Sequence, residues 1–257
     1  MKKLALICIL IFGVLGYSSG IVSLAPNITR MLIDLGLKEQ IIGTVSSGNT
    51  FAANVGTFAI PELEEVLRLK PRLVFYTGII QEPLGKKLKD LGLEGKRIYI
   101  SSAEELRSAY MELGSITDTE TKAHQIILQI DRTLSAFKIG SPLKVILLLW
   151  SRPYYSCGPE TFIGELISVS GMENVSQVSK GRYAIISAET LIRSRPDIII
   201  ICAEDHDAVR NLLLKDPVIK GSGLIDNLRI IVIEEAAKVL QPSLDALEVW
   251  EKLLNEI

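Results

Sequence analysis

Histidine is the scarcest chemistry-bearing residue of this 257-residue chain, with two copies, His124 and His206. A zinc or manganese cage needs several histidines and a carboxylate around the ion, and this sequence does not supply them. A phosphate-binding loop is missing as well. Gly221-Ser222-Gly223 runs into Leu224, without the Lys-Ser or Lys-Thr that a phosphate cradle requires. Neither charge is in excess: Lys and Arg number 28, Asp and Glu 30, and the net charge is −2. That balance argues against a nucleic-acid surface. Cysteine is limited to Cys8, Cys157 and Cys202. Cys157 and His206 form no nucleophile-base pair that spacing supports, so a chelatase-like two-lobed enzyme has no assembled constellation behind it.

Apolar runs long enough to span a bilayer are also lacking. The run from Leu4 to Leu15 follows Lys2 and Lys3 and precedes Gly16, Tyr17, Ser18, Ser19 and Gly20. It falls short of the roughly 20 residues of a spanning helix and has the order of an export signal cleaved after Gly20. An uncleaved anchor is the alternative. Residues 1–20 are thus expected to be a signal peptide and the remainder a soluble extracytoplasmic protein. Cys157 and Cys202 then remain, either as a disulfide suited to an exported chain or as two small buried apolar residues.

What the sequence does contain is one stretch written twice. Phe58, Glu64, Arg68 and Pro71 are echoed by Tyr183, Glu189, Arg193 and Pro196, each 125 positions later. Each copy reads as a short helix with a carboxylate in its first turn, where the dipole favours it. Arg68 and Arg193 stand four residues on, spaced for a helical pair with Glu64 and Glu189. A proline ends each helix, and Leu73–Tyr76 and Ile198–Cys202 follow as strands apolar on both faces. Two equivalent units imply two similar lobes, and an apolar content of 48% suffices for two cores.

Between and around the copies, strands and helices alternate, which predicts parallel sheets with helices on their faces, an α/β fold. Ile21–Ala25 reads as a strand, with Asn27 or Thr29 capping the next helix. Further strands are expected at Ile41–Val45, Arg97–Ile100, Lys144–Trp150 and Arg229–Ile233. Ser46–Asn49 reads as a polar loop, and Ser151–Pro159 as an aromatic, turn-rich one. Thr117–Phe137 is the longest helical pattern, with Ala123, Ile126, Ile127, Ile130, Leu134 and Phe137 on one stripe. These features set the expected boundaries: an N-terminal lobe at 21–115, a stiff connecting helix at 116–139 and a C-terminal lobe at 140–257.

The chain resembles the periplasmic binding proteins that deliver cobalamin and ferric siderophores to ABC importers. The likeness rests on Ile21-Val22-Ser23-Leu24-Ala25-Pro26-Asn27, on Val55-Gly56-Thr57-Phe58, and on Leu63-Glu64-Glu65-Val66-Leu67 ending in Lys70-Pro71. It rests also on Gly171-Met172-Glu173-Asn174-Val175 and on Ser187-Ala188-Glu189 ending in Arg195-Pro196-Asp197. The order and spacing of these segments cover residues 21–257.

The resemblance implies two lobes joined by one long helix, a metal chelate held between them, and a glutamate on each lobe docking onto arginines of a membrane permease dimer. Glu64 and Glu189 match those glutamates, and exposed carboxylates accept arginine well. Phe58, Tyr155 and Tyr183 match cleft aromatics. Arg152, Arg182 and Lys180 are loop cations placed to meet an anionic chelate, or simply solvated charges. The expected partners are thus a chelate and the permease, with no nucleic acid, no resident cofactor or metal, and a monomeric chain. A surface sensor module is the competing non-enzymatic reading, and it gives no reason for a matched glutamate on each lobe.

Overall fold

The computed structural model describes residues 20–45, 50–78, 81–137, 142–176, 178 and 183–257. The first half contains β1 (Ile21–Ser23), α1 (Pro26–Asp34), β2 (Ile41–Thr44), β3 (Ala53–Asn54), α2 (Leu63–Leu69), β4 (Leu73–Tyr76), α3 (Leu84–Asp90) and β5 (Gly95–Arg97). Two long helices follow, α4 (Ala103–Ile116) and α5 (Glu120–Ala136). The second half has β6 (Lys144–Ser151), β7 (Tyr154–Cys157), α6 (Phe162–Val169), β8 (Glu173–Asn174), β9 (Tyr183–Ile186), α7 (Ala188–Ser194) and β10 (Ile198–Ile201). It closes with α8 (His206–Lys215), α9 (Pro217–Gly221), β11 (Arg229–Val232), α10 (Ala236–Val239) and α11 (Leu244–Glu256).

The strands form two sheets. The first is parallel throughout, in the order β3-β2-β1-β4-β5. The second runs β11-β10-β6-β7-β9, with β8 also on β6; its β11, β10, β6 and β8 pair in parallel, whereas β7 and β9 add antiparallel strands at the edge. β4 and β10 are buried along their whole length, as parallel strands covered on both faces must be.

Alternation along these strands divides the interior into layers. Val22, Val74 and Tyr76 face an outer cluster under α2 and α3, while Ile21, Leu73 and Phe75 face inward. In the second sheet Ile199 and Ile201 face another outer cluster, while Ile198 and Ile200 face inward. The two inward faces belong to one continuous cluster, which runs through Leu106 and Leu113 of α4, Ile126 and Ile130 of α5, and Trp250 of α11. α5 has 17 residues, about 25 Å at 1.5 Å per residue. It packs against α4 on one side and α11 on the other, so both sheets share the core in which the helix lies.

From its helix onward the duplicated stretch folds the same way twice. α2 and α7 each have seven residues, and each ends in a left-handed residue, Lys70 at φ 49° and Arg195 at φ 44°. Pro71 and Pro196 follow, and the chain enters β4 and β10. Both helices lie on the outer faces, anchored by Val66 and Leu191.

Four local expectations are corrected. α1 begins at Pro26, with Ala25 as its cap residue and no side-chain cap, because proline suits the first helical position. Thr29 instead donates from within the helix to the Ala25 carbonyl, with its hydroxyl also 2.8 Å from Ser23 Oγ. β5 pairs with β4 from Gly95, earlier than Arg97–Ile100. Residues 154–157 are a strand rather than loop, because β8 pairs with β6 only at Lys144 and Val145 and leaves the rest of that edge open. Arg68 binds Glu65 at 3.0 Å rather than Glu64. The Ser46–Asn49 loop lies outside the described residues.

Cys157 and Cys202 are free and buried. Cys157 ends β7 and Cys202 follows β10, strands on opposite edges of β6. Two strand spacings separate them by about 9.6 Å, beyond the roughly 7 Å that a disulfide spans. Burial pushes the Cys157 thiol up to about 11 and the Cys202 thiol up to about 12, so both stay protonated and unreactive at neutral pH.

Candidate functional site

A cavity of about 560 Å³ lies between the two sheets, lined by residues from both halves of the chain. The first half contributes the segments that leave β1, β4 and β5: Pro26 and Asn27, Thr77 and Gly78, and Tyr99 to Ser101, together with Phe58. Crevices at the carboxyl ends of parallel strands are where α/β sheets bind ligands. The opposite wall comes from the start of α6 (Thr161, Phe162, Ile163), from Tyr183 at the start of β9, and from Val239 to Pro242. Phe58, Tyr99, Ile100, Phe162, Ile163, Tyr183, Val239 and Leu240 give the lining its apolar and aromatic character. Its polar atoms come from Asn27, Thr77, Ser101, Thr161, Gln241 and the two tyrosines, and no described lining residue carries a charge.

Phe58 is held in place by a closed loop. Gly56 and Pro61 form an antiparallel bridge, and the Thr57 N–H donates to the Ile60 carbonyl at 3.1 Å. Gly56 has φ +93°, and a Cβ there would stand 2.6 Å from the Ile60 carbonyl oxygen, so the turn requires glycine. Gln81 then fixes the loop to the sheet. Its amide nitrogen donates to the Phe58 carbonyl at 2.8 Å and the Leu24 carbonyl at 2.7 Å, and its carbonyl accepts from the Thr77 N–H at 2.9 Å. This side chain is 1% exposed. One buried amide thus ties together the exits of β1 and β4 and the loop that presents Phe58.

Tyr183 stacks on Tyr155 with ring centroids 6.0 Å apart and planes 16° from parallel. Tyr155 pairs with Ile185 across the β7–β9 ladder, which makes Tyr155 and Tyr183 a diagonal pair on one sheet face. Tyr155 does not line the cavity; it supports the ring that does. It faces a second, shallower recess with Leu149, Trp150, Pro153 and Ile185. Arg152 stands at the β6–β7 hairpin turn, outside the cavity lining. Asp216 lies close enough for Arg152 to help lower it: partial burial pushes that carboxylate up, and the Tyr154 hydroxyl, the Ile219 and Val218 N–H groups and Arg152 outweigh it. Arg182 and Lys180 lie outside the described residues.

Two features were missed by sequence reasoning. Gln81 carries no motif and lies in a turn before α3, so only its burial reveals it. Arg97 is exposed and its guanidinium lies 5.7 Å from the centroid of the Tyr99 ring, with Glu82 at 3.6 Å. It places a cation beside an aromatic wall of the cavity. His124 is exposed on α5 and His206 begins α8, and neither lines the cavity.

Glu64 and Glu189 each occupy the second position of their helix and are exposed. The Ser187 hydroxyl and the helix N-terminal amide hold the Glu189 carboxyl below its ordinary range, so it is ionised at neutral pH.

Residues 21–237 match the family profile described as periplasmic binding protein. The chain belongs to that family. Its members are extracytoplasmic, and the relatives found here are substrate-binding components that work with a membrane permease of ABC importers rather than enzymes. Among curated relatives, the high-affinity heme uptake system protein IsdE of Staphylococcus aureus is 24% identical over 195 residues, which is 71% of this chain and 67% of that protein. An ABC transporter substrate-binding protein from Listeria monocytogenes superposes with a TM-score of 0.81 at 22% identity, covering 93% of this chain and 98% of that one. The vitamin B12 binding protein BtuF of Vibrio cholerae superposes with a TM-score of 0.75 at 15% identity, again covering 93% and 98%. At these identities the superpositions establish the two-lobed fold of this binding protein.

Proposed function

We propose that this binding protein captures a metal chelate of the tetrapyrrole type, a haem or a corrinoid, in the cavity between its sheets. The observation that carries the reading is the lining itself: Phe58, Tyr99, Phe162 and Tyr183 with aliphatic neighbours, and no charged side chain among the described residues. Apolar walls stabilise a ligand with broad apolar faces, at about 25 cal/mol per Å² of area removed from water. The same walls disfavour a densely anionic chelate, whose charges would be buried without partners. The acidic side chains of a macrocycle would instead reach the rim, where Arg97 stands. Relatives named for heme and vitamin B12 support this choice within the family. A ferric siderophore is the second reading, and it requires cations that the described lining residues do not supply.

In this proposal Phe58 and Tyr183 touch the ligand, Tyr155 acts through Tyr183, and Arg152 takes no part. Residues 1–20 direct export. The lobes are 21–115 and 140–257, with 116–139 between them, and the chain acts as a monomer. Glu64 and Glu189, exposed at equivalent places on the two lobes, dock onto arginines of the permease dimer. Reversing both to lysine is expected to abolish chelate uptake by whole cells while the purified variant keeps its ligand affinity. Uptake at the normal rate would sink the docking role, and lost ligand affinity would place the glutamates in the wrong site.

A further inference from the structure

No described lining residue carries a charge, so the charges nearest the cavity stand at its edges. Among the described residues within two positions of a lining residue, the charged side chains are Arg97, Glu160, Glu165 and Lys238. Two of them are engaged elsewhere: Glu165 accepts the Ala103 N–H at 2.7 Å, and Lys238 pairs with Glu235. That leaves an exposed cation beside the wall of the first half, Arg97, and an exposed anion beside the wall of the second, Glu160.

The sheet itself places Arg97. It ends β5 and pairs with Tyr76, the last residue of β4, directly before the lining residues Thr77 and Gly78. Two residues on, the Tyr99 ring lines the cavity, and the guanidinium lies 5.7 Å from its centroid. An arginine against an aromatic ring is oriented by it, with its N–H donors at the edge of the guanidinium plane. The neighbouring carboxylate, Glu82, stands 3.6 Å away and is 63% exposed, and such a pair is worth little in water. A second carboxylate, arriving with a ligand, can share or take the guanidinium at small cost. Guarding a sheet edge is the other use of a cation on an edge strand, but that use needs no ring partner from a cavity wall.

We infer that Arg97 determines which tetrapyrrole is captured: it meets an ionised carboxylate on the ligand's edge. The protein then favours an acid-bearing macrocycle such as haem over cobalamin, whose corrin side chains are amides. The inference rests on the tetrapyrrole reading of the cavity and narrows it. Glu82 competes with the ligand for the same guanidinium. Glu160 disfavours a carboxylate at the opposite wall, so the acidic edge of the macrocycle points toward β5.

The test is absorbance titration of purified residues 21–257 with haem, its neutral dimethyl ester and cobalamin, for the parent and for Arg97→Gln, Arg97→Lys and Glu82→Gln. The parent is expected to bind haem about tenfold more tightly than the ester, the worth of one partly exposed charge-assisted contact. Arg97→Gln should remove most of that preference by weakening haem, Arg97→Lys should retain part of it, and Glu82→Gln should enlarge it about threefold. Added salt should erode the preference in the parent and not in Arg97→Gln. An arginine that only supports Tyr99 would move haem and ester alike when replaced, and that result overturns the inference. So does a parent that binds haem and ester equally. Loss of cobalamin rather than haem in Arg97→Gln overturns it too, since the guanidinium would then read the cobalamin phosphate. If haem, ester and cobalamin all fail to bind the parent, the tetrapyrrole reading itself fails and takes this inference with it.

Discussion

Buried polar side chains, rather than the apolar lining, fix the shape of the cavity. Gln81 uses both ends of its amide on three backbone groups from three separate segments. Replacing it with leucine, of similar size, strands those backbone groups, at about 1–3 kcal/mol for each one left unsatisfied. Gln81→Leu is therefore expected to lower the unfolding free energy by about 2–4 kcal/mol and to weaken ligand binding because Phe58 loses its anchor. Denaturant titration and ligand titration of the same variant check both parts; full stability with normal affinity would show that the loop needs no such tie. Nothing in the sequence around Gln81 signals this role, since a lone glutamine in a turn has no periodicity. Phe58 and Tyr183 were legible because each stands at a fixed distance from a helix start. Arg152 stands close to Tyr155 along the chain but outside the cavity lining, at the hairpin turn where its charge reaches Asp216.

At the scale of elements, the sequence was readable where one pattern ran uninterrupted. β4, β10 and α5 followed from apolar runs and a clean helical stripe, and the doubled helix-proline-strand unit recurs down to its left-handed terminal residue. β7 was not readable, because the covered face it turns to the outer cluster carries Tyr154 and Ser156, and the buried Ser156 donates to the Leu147 carbonyl at 2.7 Å. A buried serine hides a period-two pattern. The loop carrying Phe58 is the element most sensitive to a single atom. Gly56→Ala forces a Cβ against two backbone atoms, the Ile60 carbonyl at 2.6 Å and the Glu62 nitrogen at 2.8 Å, at a positive φ. A destabilisation of about 2 kcal/mol or more is expected, and a thermal melt unchanged from the parent would contradict the assigned turn.

For the whole molecule, the shared core decides how the lobes behave. One cluster reaches from Phe75 of the first sheet to Ile200 of the second, and polar links reinforce it. Glu165 of α6 accepts the Ala103 N–H at the start of α4 at 2.7 Å. Arg30 joins Asp34 at 2.9 Å to Asp245 of α11 at 3.3 Å. Sheets that share a core are expected to unfold together, so calorimetry should give one transition whose calorimetric and van't Hoff enthalpies agree. Two separate transitions would mean independent lobes and a looser hinge. The same stiffness implies that a ligand enters a cavity already close to its bound shape, which limits the entropy lost on binding.

The central claim is that the cavity between the sheets, aromatic and without a charged side chain among its described lining residues, captures a tetrapyrrole chelate. Calorimetric titration tests it directly, with haem, cobalamin, a ferric hydroxamate and a ferric catecholate added in turn to residues 21–257 and to the Phe58→Ala and Tyr183→Ala variants. One-to-one binding of haem or cobalamin is predicted, weakened about tenfold or more by either substitution through lost aromatic contact of about 1–2 kcal/mol. Binding of only a siderophore, or tetrapyrrole binding untouched by both substitutions, would contradict it.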